Sequence, residues 1–169
     1  TLMDSLNKTT VDWLRFRTQS NPFETLEALR PAFGSVADLV QFGPHQRGKD
    51  GWQDRREILL AGDVVLGSVD YGGESQRGWL RWDMPGSGCE WVQDWALVAG
   101  LVRVLDRAEL RRVDLALTVA DPSLVNHDKV LLAHAAGLFS TGGRNPKARI
   151  VTGSEPTDGR TVYVGSRAG

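Results

Sequence analysis

The segment 110–121, LRRVDLALTVAD, limits the possible fold more than any other part of the chain. Aliphatic residues occupy every second position of its central part: Val113, Leu115, Leu117 and Val119. A two-residue period is typical of a β-strand, in which successive side chains point to opposite faces of the sheet. We therefore expect the aliphatic face of this strand to cover a hydrophobic core. The opposite face carries Arg112 and Asp114, followed by small residues.

Asp114 is unusual in the middle of a predicted strand, because aspartate has a low β propensity and is costly to bury without a partner. One explanation is that Asp114 pairs with Arg112 or remains exposed to solvent. The other is that its carboxylate is held for a metal ion or a proton. The residues of this segment alone leave both explanations open.

The composition predicts one folded domain with a hydrophobic core. Of the 169 residues, 41% are hydrophobic and 24% are charged, which is close to ordinary globular usage. The sequence has no apolar run of the ~18 residues needed to span a membrane, and its single cysteine, Cys89, fits a reducing cytoplasm. The net charge of −1 gives no general attraction to nucleic acid, so such binding requires a local basic surface.

Periodicity and turn residues predict an α+β fold, with a curved, mostly antiparallel sheet that helices pack against on one face. The predicted strands outside 110–121 are 11–18, 56–60, 64–71, 78–84, 148–152 and 160–165. Helices are predicted after Asn21-Pro22, over 35–42, over 90–107 and after Asn126, whereas 43–53 is predicted to be a loop.

The same periodicity predicts which side chains are buried. In the first strand we expect Trp13 to be buried, and Arg15 and Arg17 to share an outward face. In the helix predicted over 90–107, one apolar stripe should pack against the sheet: Trp91, Trp95, Val98, Val102 and Leu105. A tryptophan stripe at helical spacing is more typical of a core than of a binding site.

Several kinds of site lack the residue spacing that they need. The three histidines and Cys89 form no zinc-ligand pattern. The nucleophile motif G-x-S-x-G and the phosphate-binding glycine motifs are also absent from the sequence. What remains is Asp114 with dispersed basic residues, which are either solvated or part of one phosphate-contacting surface. The candidates for that surface are Arg15, Arg17, Arg81, Arg112, Arg144, Lys147, Arg149, Arg160 and Arg167, with Trp52 or Trp79 for base stacking.

Four sequence blocks occur in an order that resembles a known family. They are VDWL at 11–14, GWLRWD at 78–83, RVDLA at 112–116 and GRTVYVGSR at 159–167. The series resembles the RstA-like replication initiation factors of filamentous phages, which are related to the initiators of staphylococcal rolling-circle plasmids. The similarity covers nearly the whole chain, and the last two blocks are its most specific part.

The resemblance implies a DNA nickase and strand-transferase, which cuts one strand of a replication origin with Mg²⁺ or Mn²⁺. Such a protein stays joined to the 5′ phosphate through a tyrosine. Asp114 matches the family's acidic residue that is expected to help hold the metal, and Arg112 matches the arginine before it, so both are predicted catalytic residues. The arginines expected to contact DNA are Arg81, Arg112, Arg144, Arg149, Arg160 and Arg167.

The resemblance also implies partners and a location. The partners are origin DNA, host replication proteins and a second copy of the chain, because relatives act as dimers. The expected location is the cytoplasm of a bacterial host cell, and no association with a membrane is expected.

The sequence departs from the family pattern in two places. Thr118 stands where many relatives have a second aspartate, although Asp121 lies close by. Tyr163 belongs to a Tyr-x-Gly-Ser block and does not match the nucleophilic tyrosine, which belongs to a later Arg-x-Tyr-x-Lys segment. We therefore expect residues 1–169 to be a single domain and the N-terminal part of a longer initiator. We expect these 169 residues alone to bind origin DNA weakly and not to cleave it.

Other functions remain open. The first is a non-catalytic DNA-binding regulator or remnant of an initiator. The second is a protein-interaction domain whose arginines bind acidic partners, and the third is a hydrolase with an unrelated carboxylate pair. DNA binding that depends weakly on salt would favour the protein-interaction domain, because phosphate contacts release counterions.

Overall fold

The computed structural model describes residues 8–119, 121, 123–140, 145–152 and 160–164. Contacts between these residues are concentrated in two units, Lys8–Leu117 and the described residues from Thr118 onward. The single domain expected for 1–169 stays a prediction.

The first unit is built on an open, six-stranded antiparallel sheet. Its strands are β1 (Lys8–Thr18), β2 (Val40–Arg47), β3 (Asp54–Leu60), β4 (Val64–Tyr71), β5 (Leu80–Pro85) and β6 (Glu109–Thr118). Their spatial order is β2-β3-β4-β5-β1-β6, which brings the first and the last of these strands together. With its helices, this architecture confirms the predicted α+β fold.

The hydrophobic core lies on one face of this sheet. Apolar side chains reach it from four helical segments: α1 (Pro22–Leu29), a 3₁₀ segment (Arg30–Leu39), α2 (Gly86–Cys89) and α3 (Trp95–Val104). In the core, the rings of Phe16 and Trp82 stack with centroids 5.8 Å apart and planes inclined by 13°. These two residues are directly opposite each other in the β1–β5 pairing, which explains their contact.

The other face of the sheet is polar, because side chains alternate along each strand. The register places four charged residues in one row across the sheet: Arg17 of β1, Arg81 of β5, Asp70 of β4 and Arg55 of β3. In the next row, Arg15 lies opposite Asp83. This face carries the candidate site.

Trp13 belongs to this polar face, so the prediction that it is buried in the core is wrong. The core-facing residues of β1 are Leu14 and Phe16, which are 4% and 0% exposed. Trp13 alternates with them, and its indole Nε1 donates a hydrogen bond to Asp83 on the polar face. Because side chains two residues apart on a strand point to the same face, Trp13 points to the same polar face as Arg15.

The helix predicted over 35–42 and the loop predicted over 43–53 are both wrong in part. The 3₁₀ segment ends at Leu39, and β2 begins at Val40, which pairs with Leu60 of β3. β2 then continues through Gly43 and Pro44. Glycine and proline are uncommon inside strands, so their presence hides this strand from pattern analysis.

The helix predicted over 90–107 is longer than the helix that forms, because α3 begins after Asp94. The Asp94 carboxylate caps the helix by accepting the backbone N–H of Leu97 at 3.0 Å. The backbone N–H of Asp94 donates to the carbonyl of Ala32 instead of to a preceding helical turn. Of the predicted apolar stripe, Val98 is buried, whereas Trp91 is 39% exposed.

β6 confirms the predicted strand, but the prediction that its aliphatic face covers a core is wrong for Leu115 and Leu117. These side chains are 68% and 62% exposed. α3 approaches only the first half of β6, where Leu110 and Val113 help to line an apolar groove of about 460 Å³. β6 is the last of the described strands in the sheet order, and the alternation that predicts a strand does not ensure that an edge strand is covered.

The second unit contains α4 (His127–Ala135) and a two-stranded antiparallel sheet of β7 (Ala148–Thr152) and β8 (Arg160–Val164). Asn126 caps α4, because its side chain accepts the backbone N–H of Lys129 at 2.9 Å. These elements confirm the helix predicted after residue 126 and, within the described residues, the last two predicted strands. In the parts of the chain that the structure describes, no helix is both long and apolar enough to cross a membrane.

Candidate nucleic-acid interface

The polar face of the six-stranded sheet carries four contacts between an arginine and a tryptophan. In each, the guanidinium carbon lies over the indole ring: Arg112 over Trp13 at 4.2 Å, Arg17 over Trp79 at 4.3 Å, Arg81 over Trp52 at 5.6 Å and Arg15 over Trp13 at 5.9 Å. Each is a cation–π interaction, which orients a planar group that carries several N–H donors. Strand alternation provides most of these side chains, and the loop between β2 and β3 provides Trp52.

One group of contacts, the Trp13 cluster, consists of Trp13, Arg15, Asp83, Arg112 and Asp114. Asp83 lies at its centre. One oxygen of Asp83 accepts from Trp13 Nε1 at 2.6 Å, and the other accepts from Arg15 Nη2 at 2.7 Å. Arg112 of β6 lies over the indole ring of Trp13, so the cluster links β6 to β1 and β5.

Asp114 pairs with Arg112, as the first of the two explanations for its position predicts. Arg112 Nε donates to the two carboxylate oxygens of Asp114 at 2.8 and 3.0 Å, and Nη2 donates as well. This hydrogen bonding to Arg112 lowers the pKa of Asp114 below its ordinary value, and the same contact raises the pKa of Arg112. Asp114 is therefore ionised, and its oxygens are engaged.

Among all described residues, no group of three or more histidine, cysteine, aspartate or glutamate side chains is placed to hold a metal ion. Asp114 provides one carboxylate, and both of its oxygens accept hydrogen bonds from Arg112. Metal binding by Asp114 stays a prediction.

A second group, the Arg81 cluster, consists of Arg55, Asp70, Arg81 and Trp52. Asp70 is 0% exposed, and it accepts from Arg55 Nη1 at 3.0 Å and from Arg81 Nη2 at 2.9 Å. Taking a carboxylate out of water is costly unless it is paired and hydrogen-bonded, and these two arginines meet that need. Trp52 lies over the guanidinium of Arg81 on its outer side.

Arg17 lies between the two clusters, directly opposite Arg81 in the β1–β5 register. Like charges in that position repel each other. The two guanidiniums turn to different partners: Arg81 pairs with Asp70, whereas Arg17 Nε donates to Glu109 of β6 at 2.9 Å. Trp79 covers the guanidinium of Arg17.

Carboxylates balance most of the arginine charge on this face. The ion pairs join Arg15 to Asp83, Arg17 to Glu109, Arg55 and Arg81 to Asp70, and Arg112 to Asp114. Long-range attraction to a polyanion is therefore weak. Affinity for nucleic acid on this face has to come from stacking and from hydrogen bonds at short range.

The structure brings together some of the predicted site residues. Arg81, Arg112 and Asp114 lie on the polar face of the first unit. Arg149 and Arg160 belong to β7 and β8 of the second unit, where Arg149 is opposite Tyr163 and Arg160 is opposite Thr152. Arg144 and Arg167 lie outside the described residues.

Sequence reasoning did not single out Trp13, Asp83, Asp70 or Arg55 as site residues. Trp13 is two residues from Arg15 along β1, so both side chains point to the same face of the sheet, and the sequence alone could have shown this. The pairing of Arg55 with Asp70 depends on the register of β3 and β4, which shifts at an irregularity between Ile58 and Leu59 that the sequence pattern does not show. The contacts of Asp83 depend on pairing between β1 and β5, which are far apart in the chain.

No protein-family model matches the chain, and no significant match was found among curated proteins or among solved structures. The similarity to phage replication initiation factors therefore depends on the sequence blocks alone.

Proposed function

We propose that the first unit is the DNA-binding part of a rolling-circle replication initiator and binds through the polar face of its sheet. The observation that carries this proposal is the presence of four arginine–tryptophan contacts on one face. Every base has a π-face that stacks on an indole or a guanidinium. Guanidinium N–H groups, in turn, suit phosphate oxygens.

The dimensions of the face fit a strand of several nucleotides. Trp13 and Arg17 are four positions apart on β1, which corresponds to about 13 Å along a strand. Charges along one strand of B-DNA are spaced at about 3.4 Å. A nucleic-acid strand that follows β1 over this distance therefore passes both the Trp13 cluster and Arg17.

In the nicking reaction that the sequence resemblance implies, Asp114 would help to hold a divalent cation and Arg112 would neutralise phosphate. A divalent cation would polarise the scissile phosphate. The contacts of Asp114 set a condition for this role. The Arg112 guanidinium has to leave the Asp114 carboxylate, because the oxygens that would bind the cation accept its N–H groups.

A non-catalytic DNA-binding regulator is the second candidate. It is favoured by the engagement of the Asp114 carboxylate with Arg112. Isothermal titration calorimetry with MnCl₂ distinguishes the initiator from the non-catalytic regulator. Initiator chemistry predicts Mn²⁺ binding that Asp114→Asn removes and the control Asp63→Asn retains. A regulator predicts no Mn²⁺ binding by any of the three proteins.

DNA binding is tested by fluorescence anisotropy with a labelled 20-nucleotide single strand and the corresponding duplex. Trp79→Ala should weaken single-strand binding by at least about fivefold, because loss of base stacking costs about 1–3 kcal/mol per base. Arg112→Ala should also weaken it, because it loses a guanidinium that stacks and contacts phosphate.

The matched control for Arg112→Ala is Arg103→Ala. Arg103 is an exposed arginine of the same unit that lines the apolar groove on the core side of the sheet, beside Leu14 and Val113. The two variants lose the same charge, so general electrostatics affects both equally. If Arg103→Ala weakens binding as much as Arg112→Ala, or if Trp79→Ala binds like the unmodified protein, the polar face is not the binding surface.

A further inference from the structure

The loop 48–53 between β2 and β3 lies against the outer side of the Arg81 guanidinium. Trp52 of this loop is in cation–π contact with Arg81, and Asp50 Oδ2 lies 3.6 Å from Arg81 Nη2. Arg81 is thus bounded by Asp70 inside and by the loop outside.

The loop has a defined backbone that does not depend on the Asp50 side chain. Gly48 N–H donates to the carbonyl of Gln53 at 2.9 Å, and Gln76 Nε2 donates to the carbonyl of Gly51 at 3.1 Å. Asp50 adopts φ 55°, in the left-handed region that aspartate and asparagine tolerate better than most residues. Its carboxylate can therefore be replaced by an amide without changing the turn.

The two carboxylates on Arg81 are held very differently. Asp70 is fully buried and accepts hydrogen bonds from Arg81 Nε and Nη2, at 3.2 and 2.9 Å. The Asp50 side chain is 76% exposed, and its 3.6 Å separation from Nη2 exceeds a hydrogen-bond distance. A guanidinium has five N–H groups, so Arg81 keeps donors that Asp70 does not use.

We propose that Asp50 holds the place of a phosphate at Arg81 and that the loop 48–53 lowers the affinity of the polar face for nucleic acid until a phosphodiester displaces this carboxylate. The inference rests on the proposed DNA binding by that face. A phosphate that engages the free donors of Arg81 makes charge-assisted hydrogen bonds, which are stronger than an exposed ion pair at 3.6 Å. Asp70 remains in place and keeps Arg81 oriented toward the ligand.

The test compares Asp50→Asn with Asp63→Asn in the anisotropy assay with the labelled 20-nucleotide single strand. Both substitutions remove one negative charge from an exposed hairpin turn of the first unit, but Asp63 lies in the turn between β3 and β4 and makes no ion pair among the described residues. Asp50→Asn should tighten binding about fivefold, because the phosphate no longer has to displace a carboxylate from Arg81. The slope of log affinity against log salt should change little, because the same phosphates are contacted in both proteins. Asp63→Asn should change affinity by less than about twofold, because its charge is screened at that distance.

Three outcomes overturn the proposal. If Trp79→Ala weakens binding but Asp50→Asn behaves like Asp63→Asn, the face binds DNA and Asp50 does not hold a phosphate position. If Asp50→Asn tightens binding equally in an Arg81→Gln background, the gain does not act through Arg81. If Trp79→Ala and Arg112→Ala leave binding unchanged, the proposed function fails first and this inference fails with it.

Discussion

At the scale of residues, two of the aspartates on the polar face, Asp70 and Asp114, differ in burial and in partners. Asp70 is 0% exposed and accepts hydrogen bonds from two arginines, whereas Asp114 is exposed and pairs with one. Water screens an exposed pair and solvates its members when they separate, whereas a buried carboxylate has only its protein partners. The two residues therefore contribute differently to folding.

Asp70→Asn should lower the free energy of unfolding by about 2 kcal/mol, because it leaves Arg55 and Arg81 without their shared negative charge. Asp114→Asn serves as the matched control and should leave the unfolding free energy unchanged within error. Urea denaturation followed by circular dichroism measures both. Equal effects of the two substitutions would show that Asp70 does not anchor the Arg81 cluster.

The thiol of Cys89 provides a prediction about pH. Burial, with a smaller contribution from the charge of Asp12, raises the pKa of Cys89 from 9.0 to about 11. The folded state therefore holds the proton more tightly than the unfolded state. The resulting stabilisation is complete below pH 9 and is lost as the pH rises from 9 toward 11.

A disulfide reagent at pH 8 should react with Cys89 much more slowly in the folded protein than in the same protein unfolded in urea. The comparison uses one chain under two conditions, so the reagent itself is controlled. Rapid reaction in the folded state would show that the thiol is accessible.

At the scale of elements, the alternation of apolar residues predicted the strands that bury one face in the core. β1, β5 and the β3–β4 hairpin follow their alternation, with Phe16, Trp82 and Val69 on the core face. Patterns failed at β2, where Gly43 and Pro44 interrupt the sequence, and at the start of α3. There a tertiary hydrogen bond to Ala32 competes with helix formation, and periodicity does not report such bonds.

Asp94→Ala should destabilise the first unit by about 1 kcal/mol, because the backbone N–H of Leu97 loses its capping acceptor. Asp94→Ser keeps an acceptor at the same position and should retain most of the stability. Thermal unfolding of the two variants, compared at equal concentration, measures the difference. If both variants unfold at the same temperature, the cap does not stabilise α3.

At the scale of the whole molecule, the candidate site was predictable only in part. The arginines and the metal-ligand candidate Asp114 were named from the sequence, and the pairing of Asp114 with Arg112 was one of the two explanations considered. Which residues share a face with Arg112 depends on the β1–β5 and β1–β6 neighbours, which are distant in sequence. The balance of charge by Asp70 and Asp83 follows from the same long-range register and was not predicted.

This charge balance predicts a modest salt dependence of DNA binding. Counterions are released from the phosphates that arginines neutralise, and contacts to about three phosphates of a single strand correspond to a slope of roughly −2 in log affinity against log salt. Anisotropy titrations between 50 and 300 mM NaCl would measure it. A slope near zero would favour the protein-interaction alternative, and a slope several times steeper would require basic residues outside this face.

The most direct test of DNA binding by the polar face is photochemical crosslinking to a single strand that contains 5-iodouracil, with the adducts located by mass spectrometry. The chain has six tryptophans, which provide internal controls. The proposal predicts adducts at Trp13, Trp52 or Trp79, which lie against the arginines of the polar face. Adducts confined to Trp91, which is 39% exposed and lies outside that face, would contradict it.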